Sequence, residues 1–149
     1  MSNCVEQIVN SLGTIIGATL TDYSESCHAY DPLKNDFHNN DKQYGVTVGS
    51  NSASISITKA YTVDQSINVV LTHGYDNGSE DDKDLRDKVL LLHNNMDDIL
   101  KASFQQKLGL PNLVLNVILT GYEEPEIDEE NKIVVLRMEL QVTYRKLLL

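Results

Sequence analysis

A long amphipathic segment constrains the fold of this chain more than any other feature. It runs from Asp82 to about Gln106. The apolar residues that recur in it at steps of four and three are Leu85, Val89, Leu92, Met96 and Ile99. This spacing places them on one side of an α-helix, and Gly109 and Pro111 indicate where the helix ends. Since such a helix must bury its apolar side, the rest of the chain has to supply an apolar surface.

Strands with alternating apolar and polar residues supply that surface. The segment Ile133–Arg145 alternates most clearly. One face consists of Leu136, Met138, Leu140, Val142 and Tyr144, and the other of Val135, Arg137, Glu139, Gln141 and Thr143. The other predicted strands are Tyr44–Val48, Ala53–Tyr61, Gln65–Thr72 and Leu113–Leu119. The last is nearly all apolar, which predicts a central position, and the alternation of the others predicts antiparallel strands with one buried face.

A shorter helix is predicted from residue 3 to about residue 20, where apolar residues again recur at steps of three and four. Asn3 and Glu6 have the spacing of an N-terminal cap. Gly13 and Gly17 weaken the second half, because glycine has low helix propensity.

The order of these elements is helix, several strands, long helix and two strands, which predicts an α+β fold. The simplest arrangement is a two-layer sandwich, with a mostly antiparallel sheet covered by the long amphipathic helix and the N-terminal helix. The chain of 149 residues is then a single domain spanning residues 1–149. The second face of its sheet is left free for a neighbour.

The acidic balance of the chain restricts its partners. Its 22 acidic and 12 basic residues give a formal net charge of −10. Such a surface repels phosphate backbones and anionic membranes, which disfavours a function that requires binding to DNA or to a membrane surface. Two interpretations of the negative charge stay open. The surface could be one along which DNA moves without binding, or the acidity could serve only solubility.

The sequence lacks the usual signatures of a reaction centre. It contains no G-x-S-x-G or S-x-x-K nucleophile motif, no phosphate-binding glycine loop, no C-x-x-C and no pair of histidines at i, i+4. Cys27 and His28 are neighbours on a predicted strand, so their side chains point to opposite faces. The segment from Asp76 to Asp82 resembles a calcium loop, but Gly78 comes too early for that pattern. We therefore predict no enzyme activity, no catalytic residue, no metal and no cofactor.

Two cysteines, Cys4 and Cys27, do not make a disulfide framework, and both are predicted to be reduced and partly buried. The N-terminal segment lacks the basic start and apolar core of a signal peptide. No apolar run approaches the ~18 residues of a membrane helix. These features predict a protein that is made and assembled in the cytoplasm.

Four segments together resemble the neck and tail proteins of tailed bacteriophages. They are YGVTVGS at Tyr44–Ser50, TVDQSINVVLTHGY at Thr62–Tyr75, the helix DDKDLRDKVLLLHNNMDDILK and the closing VVLRMELQVTYR. The most similar group is the tail-terminator and tail-completion (head–tail joining) proteins, which are small α+β domains of about this length. Their last strand ends in an aromatic–basic pair like Tyr144 and Arg145. The resemblance covers about residues 5–145.

This resemblance implies a virion protein that forms a homo-oligomeric ring, usually a hexamer. The ring would sit between neck or connector proteins of the capsid and the tail-tube proteins. DNA would pass through its lumen without specific binding, and the acidity fits such a wall. No membrane is involved.

A closed ring needs head-to-tail interfaces, and permanent interfaces bury on the order of 2,000 Å² or more. The candidates for this area are the free sheet face and two polar loops, at 31–43 and 123–131. Both loops are predicted to become ordered only when the subunits assemble. Six of the eight residues from Glu123 to Glu130 are acidic. The candidate interface residues are Asp36, Phe37, His38, Glu126, Asp128, Glu129, Arg137, Glu139 and Arg145.

Two other functions stay open on the sequence. The first is a small acidic adaptor or inhibitor that binds a basic partner surface and is a monomer or dimer, which light scattering would separate from a ring. The second is an enzyme that holds a divalent ion with His73 and the acids of Asp76–Asp84. Calorimetric titration with magnesium, manganese and calcium tests the enzyme, because a titration without heat would exclude such a metal site.

Overall fold

A computed structural model describes residues 3–34, 41–57, 60–76 and 82–147 of the chain. Helix α1 spans Cys4–Thr19 and helix α2 spans Lys83–Gln106. The strands are β1 Ser24–Glu25, β2 Lys42–Ile57, β3 Ala60–Gly74, β4 Val114–Tyr122, β5 Glu126–Asp128 and β6 Ile133–Leu147. Short 3-10 helices lie at Pro32–Lys34 and Lys107–Gly109.

The strands form one sheet in the order β1-β2-β3-β6-β4, and β5 pairs with β6 beside β4. All pairs are antiparallel except β1 with β2, which is parallel. The predicted α+β class with a mostly antiparallel sheet is thus confirmed for the described residues. The three strands predicted between Tyr44 and Thr72 belong to two long ones. Strand β2 continues through a register shift between Val48 and Asn51, and the predicted strand Ala53–Tyr61 is divided between β2 and β3.

The central position predicted for Leu113–Leu119 is wrong, because β4 pairs only with β6 among the described strands and lies at the edge of the sheet. Its register shifts twice, between Val114 and Asn116 and between Leu119 and Gly121. Val114 is buried, whereas Leu115 and Ile118 are exposed. A run of apolar residues is typical of a strand buried on both faces, but here part of the run faces outward.

The ends of the helices follow from their local sequence. The backbone N–H of Glu6 donates to Oδ1 of Asn3 at 2.7 Å, which confirms the predicted N-cap. Helix α1 continues through both glycines to Thr19. After α2, Lys107, Leu108 and Gly109 all have positive φ angles, of 44°, 59° and 70°. This left-handed turn ends the helix, as the glycine predicted.

The main core is one cluster of buried side chains from both helices and one face of the sheet. Helices α1 and α2 contribute Ile8, Leu12, Ile16, Leu92, Met96 and Ile99. The sheet contributes mainly β3 and β6 residues, among them Ile67, Leu71, Leu136, Met138 and Leu140. The stripes predicted for the two helices and for one face of β6 therefore meet.

A second, smaller cluster lies on the opposite face of the sheet, because alternate residues of a strand point to opposite faces. Val70, Ile133 and Val135 are buried there, and Leu33 of the 3-10 helix packs against them. This end of the second face is covered, unlike the free face predicted from the sequence. Farther along the strands the same face is polar. We call Asp64, Ser66, Glu139, Gln141 and Thr143 the polar face.

Gly45 allows the segment after β1 to approach β2. A Cβ atom added at Gly45 would lie 2.5 Å from Cβ and 3.2 Å from Cα of Ala29. We therefore expect Gly45→Ala to lower the free energy of unfolding by about 1–3 kcal/mol, the usual cost of overpacking. Urea unfolding followed by circular dichroism measures the effect.

Gly13→Ala is the matched control for that substitution. No atom lies within 4 Å of a Cβ added at Gly13, and the residue is inside α1. Alanine should therefore raise the free energy of unfolding by up to about 1 kcal/mol through helix propensity. If Gly45→Ala unfolds at the urea concentration of the wild type, the close contact between Gly45 and Ala29 is absent from the folded protein.

Candidate subunit interface

The acidic segment 123–131 is more structured than the sequence suggested. Its residues Glu126–Asp128 form β5, which pairs with Val135–Ile133 of β6. The backbone N–H of Glu123 also donates to the carbonyl of Arg137 at 3.0 Å. The predicted loop is therefore partly a strand in the single subunit. The reason is the length of β6, which offers pairing positions beyond the end of β4.

Two of the predicted interface residues pair with each other. Nη1 of Arg137 donates to Oε2 of Glu126 at 2.6 Å, and both side chains are partly exposed. The charge of Arg137 is thus matched within the subunit. A neighbour would meet a neutral pair at this position.

Asp128 organises the tight turn that joins β5 to β6. Its side chain accepts hydrogen bonds from the backbone N–H groups of Glu130 and Asn131, both at 3.1 Å, and from Nδ2 of Asn131 at 2.9 Å. These bonds, led by that of the Asn131 side chain, hold the pKa of Asp128 below its ordinary value. Asp128 therefore acts within its own turn. Glu129 and Glu130 are exposed in this turn, and Glu123 and Glu124 are exposed in the segment before β5.

The carboxylates of the polar face accept hydrogen bonds from neighbouring hydroxyls. Ser66 donates to Oε1 of Glu139 at 2.8 Å, and Thr143 donates to Oδ1 of Asp64 at 2.6 Å. A trough of about 240 Å³ runs between them, and residues 50–52 of β2 form its side. Alternation places Arg137, Glu139 and Arg145 on this side of β6, and Arg145 is exposed at the far end. The structure thus brings Glu139 and Arg145 to one surface.

Asp36, Phe37 and His38 lie outside the described residues, so their place at an interface stays a prediction. The described residues just before them form the 3-10 helix Pro32–Lys34. Pro32 is buried and Leu33 packs on the second cluster.

Sequence reasoning missed a groove of about 470 Å³ between α1 and the β1–β2 side of the sheet. Gly13 and Gly17 form part of its helical wall, and Tyr44 and Val46 form part of the strand wall. A Cβ added at Gly17 would lie 3.3 Å from the hydroxyl oxygen of Tyr44. The signal for the groove was present as two glycines at i, i+4, which were interpreted only as a weakness of the helix.

The cysteine, histidine and aspartate residues considered for catalysis or metal binding do not come together in one site. Both cysteines are free, and Cys27 is exposed, so its predicted partial burial is wrong. His93 packs its ring on Tyr122 with 5.0 Å between the centroids. Within the ranges that the structure describes, no group of three or more His, Cys, Asp or Glu residues could hold a metal ion. Asp84, considered above as a metal ligand, accepts the backbone N–H of Asp76 at 2.7 Å.

The comparisons with known proteins add no assignment. The sequence matches no protein-family model, and a search of curated proteins finds no significant match. Among the described residues, neither helix combines the length and the apolar character needed to cross a membrane.

Proposed function

We propose that this chain is a structural subunit of a phage neck or tail ring, a tail-terminator or tail-completion protein that joins the capsid connector to the tail and surrounds the DNA channel. The observation that carries the proposal is the second side of the sheet, where one end is sealed by Leu33 and the rest presents hydroxyls and both signs of charge. A mixed-charge strand face of this kind suits contact with a neighbouring neck or tail protein, because opposite charges on the two surfaces can match.

The proposal includes the two-layer sandwich. In it, α1 and α2 together cover one face of the sheet and leave the polar face for neighbours. The shared cluster of α1, α2, β3 and β6 side chains supports this layering. Half-buried Glu139 and exposed Arg145 lie on the face opposite that cluster, which supports the direction in which the neighbours would lie.

The acidity supports the passage of DNA through the ring. Glu123, Glu124, Glu129 and Glu130 are exposed around β5, and the whole chain carries a net charge of −10. A wall with this charge gives DNA few phosphate contacts and so does not retain it. We expect no retardation of duplex DNA in a gel-shift experiment at physiological salt.

Light scattering coupled to size exclusion, followed by negative-stain electron microscopy, tests the ring. We expect annular particles whose lumen is wide enough for duplex DNA, and we expect these particles to add to the ends of isolated virion tails. A chain that stays monomeric at every accessible concentration, both alone and with tails, would contradict the proposal.

The same exposed glutamates around β5 favour the alternative function of a small acidic adaptor or inhibitor for a basic partner surface. That function predicts a monomer or dimer whose affinity for a basic protein falls steeply with salt, because exposed charges are screened. A particle of ring size in light scattering would count against it.

A further inference from the structure

We infer that copies of this chain join edge to edge, with β4 of one copy pairing with β2 of the next, so that the sheet continues through the contact. This inference deepens the proposed function and rests on it for the closing of the ring. Two edges are involved. The β2 edge is Val46–Ile57 on the side away from β3, and the β4 edge is Val114–Tyr122 on the side away from β6.

The β2 edge already binds a substitute for a neighbouring strand. Strand β1 pairs only with Gln43 and Tyr44, and beyond them no described strand pairs with this side of β2. Val48 lies farther along this edge, and its backbone N–H, which points away from β3, donates to the hydroxyl of Tyr30 at 3.0 Å. Tyr30 is 72% exposed and Val48 is 40% exposed. A hydroxyl held on the surface thus occupies the place that the carbonyl of an added strand would take.

The β4 edge presents apolar side chains to solvent. Leu115 is 39% exposed and Ile118 is 46% exposed. No described strand pairs with β4 on its outer side. A strand with these properties is expected to pair with another chain.

Charge distinguishes these two edges from the interior of the sheet. Charged side chains are one of the devices by which proteins block edge strands. In this chain, β4 carries no charged residue, and neither does β2 from Gln43 to Ile57. The interior strands β3 and β6 do carry charges, including Asp64, Arg137 and Glu139. With a net charge of −10, two free edges without charge are the surfaces on which copies repel each other least.

The strand directions fit a repeated contact. Along β2, β3, β6 and β4 every pair is antiparallel, so β4 runs opposite to β2. A second copy in the same orientation therefore places its β2 antiparallel to β4 of the first. The contact joins two different edges, so it is head-to-tail and can repeat around a ring. The helices of successive copies then lie on the same side of the sheet.

The groove beside α1 leaves room for the added strand. It lies next to the start of the β2 edge, where Val46 forms part of its wall. Gly13 and Gly17 form the facing wall and have no side chains that would fill it. When β4 of a second copy pairs with this edge, its side chains on the helix side of the sheet can enter the groove.

Substitutions at each edge test the inference by sedimentation velocity. Val48→Pro removes the outward N–H and leaves the bonds to β3, and Ile118→Lys places a charge on β4. We expect each variant to be monomeric at concentrations at which the wild type assembles. Val48→Ala and Ile118→Val are the matched controls and should assemble. Val48→Lys serves as a second β2 variant if the proline lowers the melting temperature measured by circular dichroism.

An equimolar mixture of the two variants gives the sharpest result. Val48→Pro keeps its β4 edge and Ile118→Lys keeps its β2 edge, so the mixture should form 1:1 dimers and nothing larger. Single variants that assemble like the wild type, or a mixture that stays monomeric, would overturn the inference. Rings that persist in both single variants would overturn edge pairing and leave the ring function intact. A wild type that never assembles would overturn both.

Discussion

Leu136→Ala is expected to lower the free energy of unfolding by about 2–5 kcal/mol, the range seen when a large buried aliphatic side chain is truncated. Leu136 is fully buried in the main cluster and lies opposite Leu71 on the paired strand β3. The neighbours come from a sheet and two helices, so they cannot easily collapse into the space that the substitution leaves. Urea unfolding at equilibrium measures the loss.

Leu90→Ala is the control, because it removes the same atoms from a leucine of α2 that is 55% exposed. We expect the unfolding free energy of that variant to stay within about 0.5 kcal/mol of the wild type. Equal losses in the two leucine variants would mean that the cluster shared by the helices and the sheet does not form the core.

Mild acid is expected to destabilise the protein through His73. This side chain is fully buried, its Nδ1 lies 2.5 Å from the carbonyl oxygen of Gly74, and its Nε2 has no hydrogen-bond partner among the described residues. Burial lowers the pKa of His73 below its ordinary value of 6.5, and the Gly74 carbonyl opposes this shift. Lys88 and Lys42 lower the pKa further, whereas Asp84 raises it.

The direction of the pH effect follows from proton binding at His73 in the folded and the unfolded protein. Between the depressed pKa of the folded protein and 6.5, the unfolded chain binds a proton at His73 that the folded chain does not. Stability is therefore fully present above pH 6.5 and falls as the pH drops toward the folded pKa, with a limiting slope of about 1.4 kcal/mol per pH unit for one proton. The carboxyls of Asp22 and Asp128 also have lowered pKa values, but they act only near and below 3.8.

His73→Leu isolates this contribution. We expect the dependence of the unfolding free energy on pH between 7.5 and 5 to flatten in this variant. His28→Gln, at an exposed position, should keep the pH dependence of the wild type. A His73→Leu protein with an unchanged slope would show that another group takes up the proton.

The parts of the fold that sequence patterns predicted are those whose periodicity spans several turns or several strand residues. Helix α2 was predicted from Asp82 to about Gln106 and spans Lys83–Gln106, because its stripe repeats over the whole length. The alternation of Ile133–Arg145 likewise predicted β6, which ends at Leu147. Asn3 fixed the start of α1 through its cap.

The remaining elements depend on tertiary partners. Strands β1 and β5 are two and three residues long, too short for a pattern. Strand β1 pairs with the side of β2 that faces away from β3, and β5 pairs where β6 extends beyond β4. The apolar run of β4 could not reveal that two register shifts turn part of it outward. The burial of Val135 depends on Leu33, which is distant in sequence and belongs to a turn-rich segment.

The contacts of the candidate interface residues within the subunit could not be predicted, because the sequence gives charges but not their partners. Arg137 and Glu126 were predicted to meet a neighbour, and they meet each other. Asp128 was assigned to the interface on charge, whereas its oxygens bind the turn that follows. The uncharged edges escaped notice, because an absence of charge carries meaning only once a strand is known to be an edge.

The left-handed turn after α2 fixes the spacing between that helix and β4. Leu108 is buried although its φ is 59°, a conformation that costs a non-glycine residue about 1–2 kcal/mol. Burial of a leucine contributes about 1.5–3 kcal/mol, enough to offset that cost. One residue inserted between Ile99 and Leu108 would rotate the helix by about 100° relative to this anchor. Length variation among related chains should therefore avoid this junction.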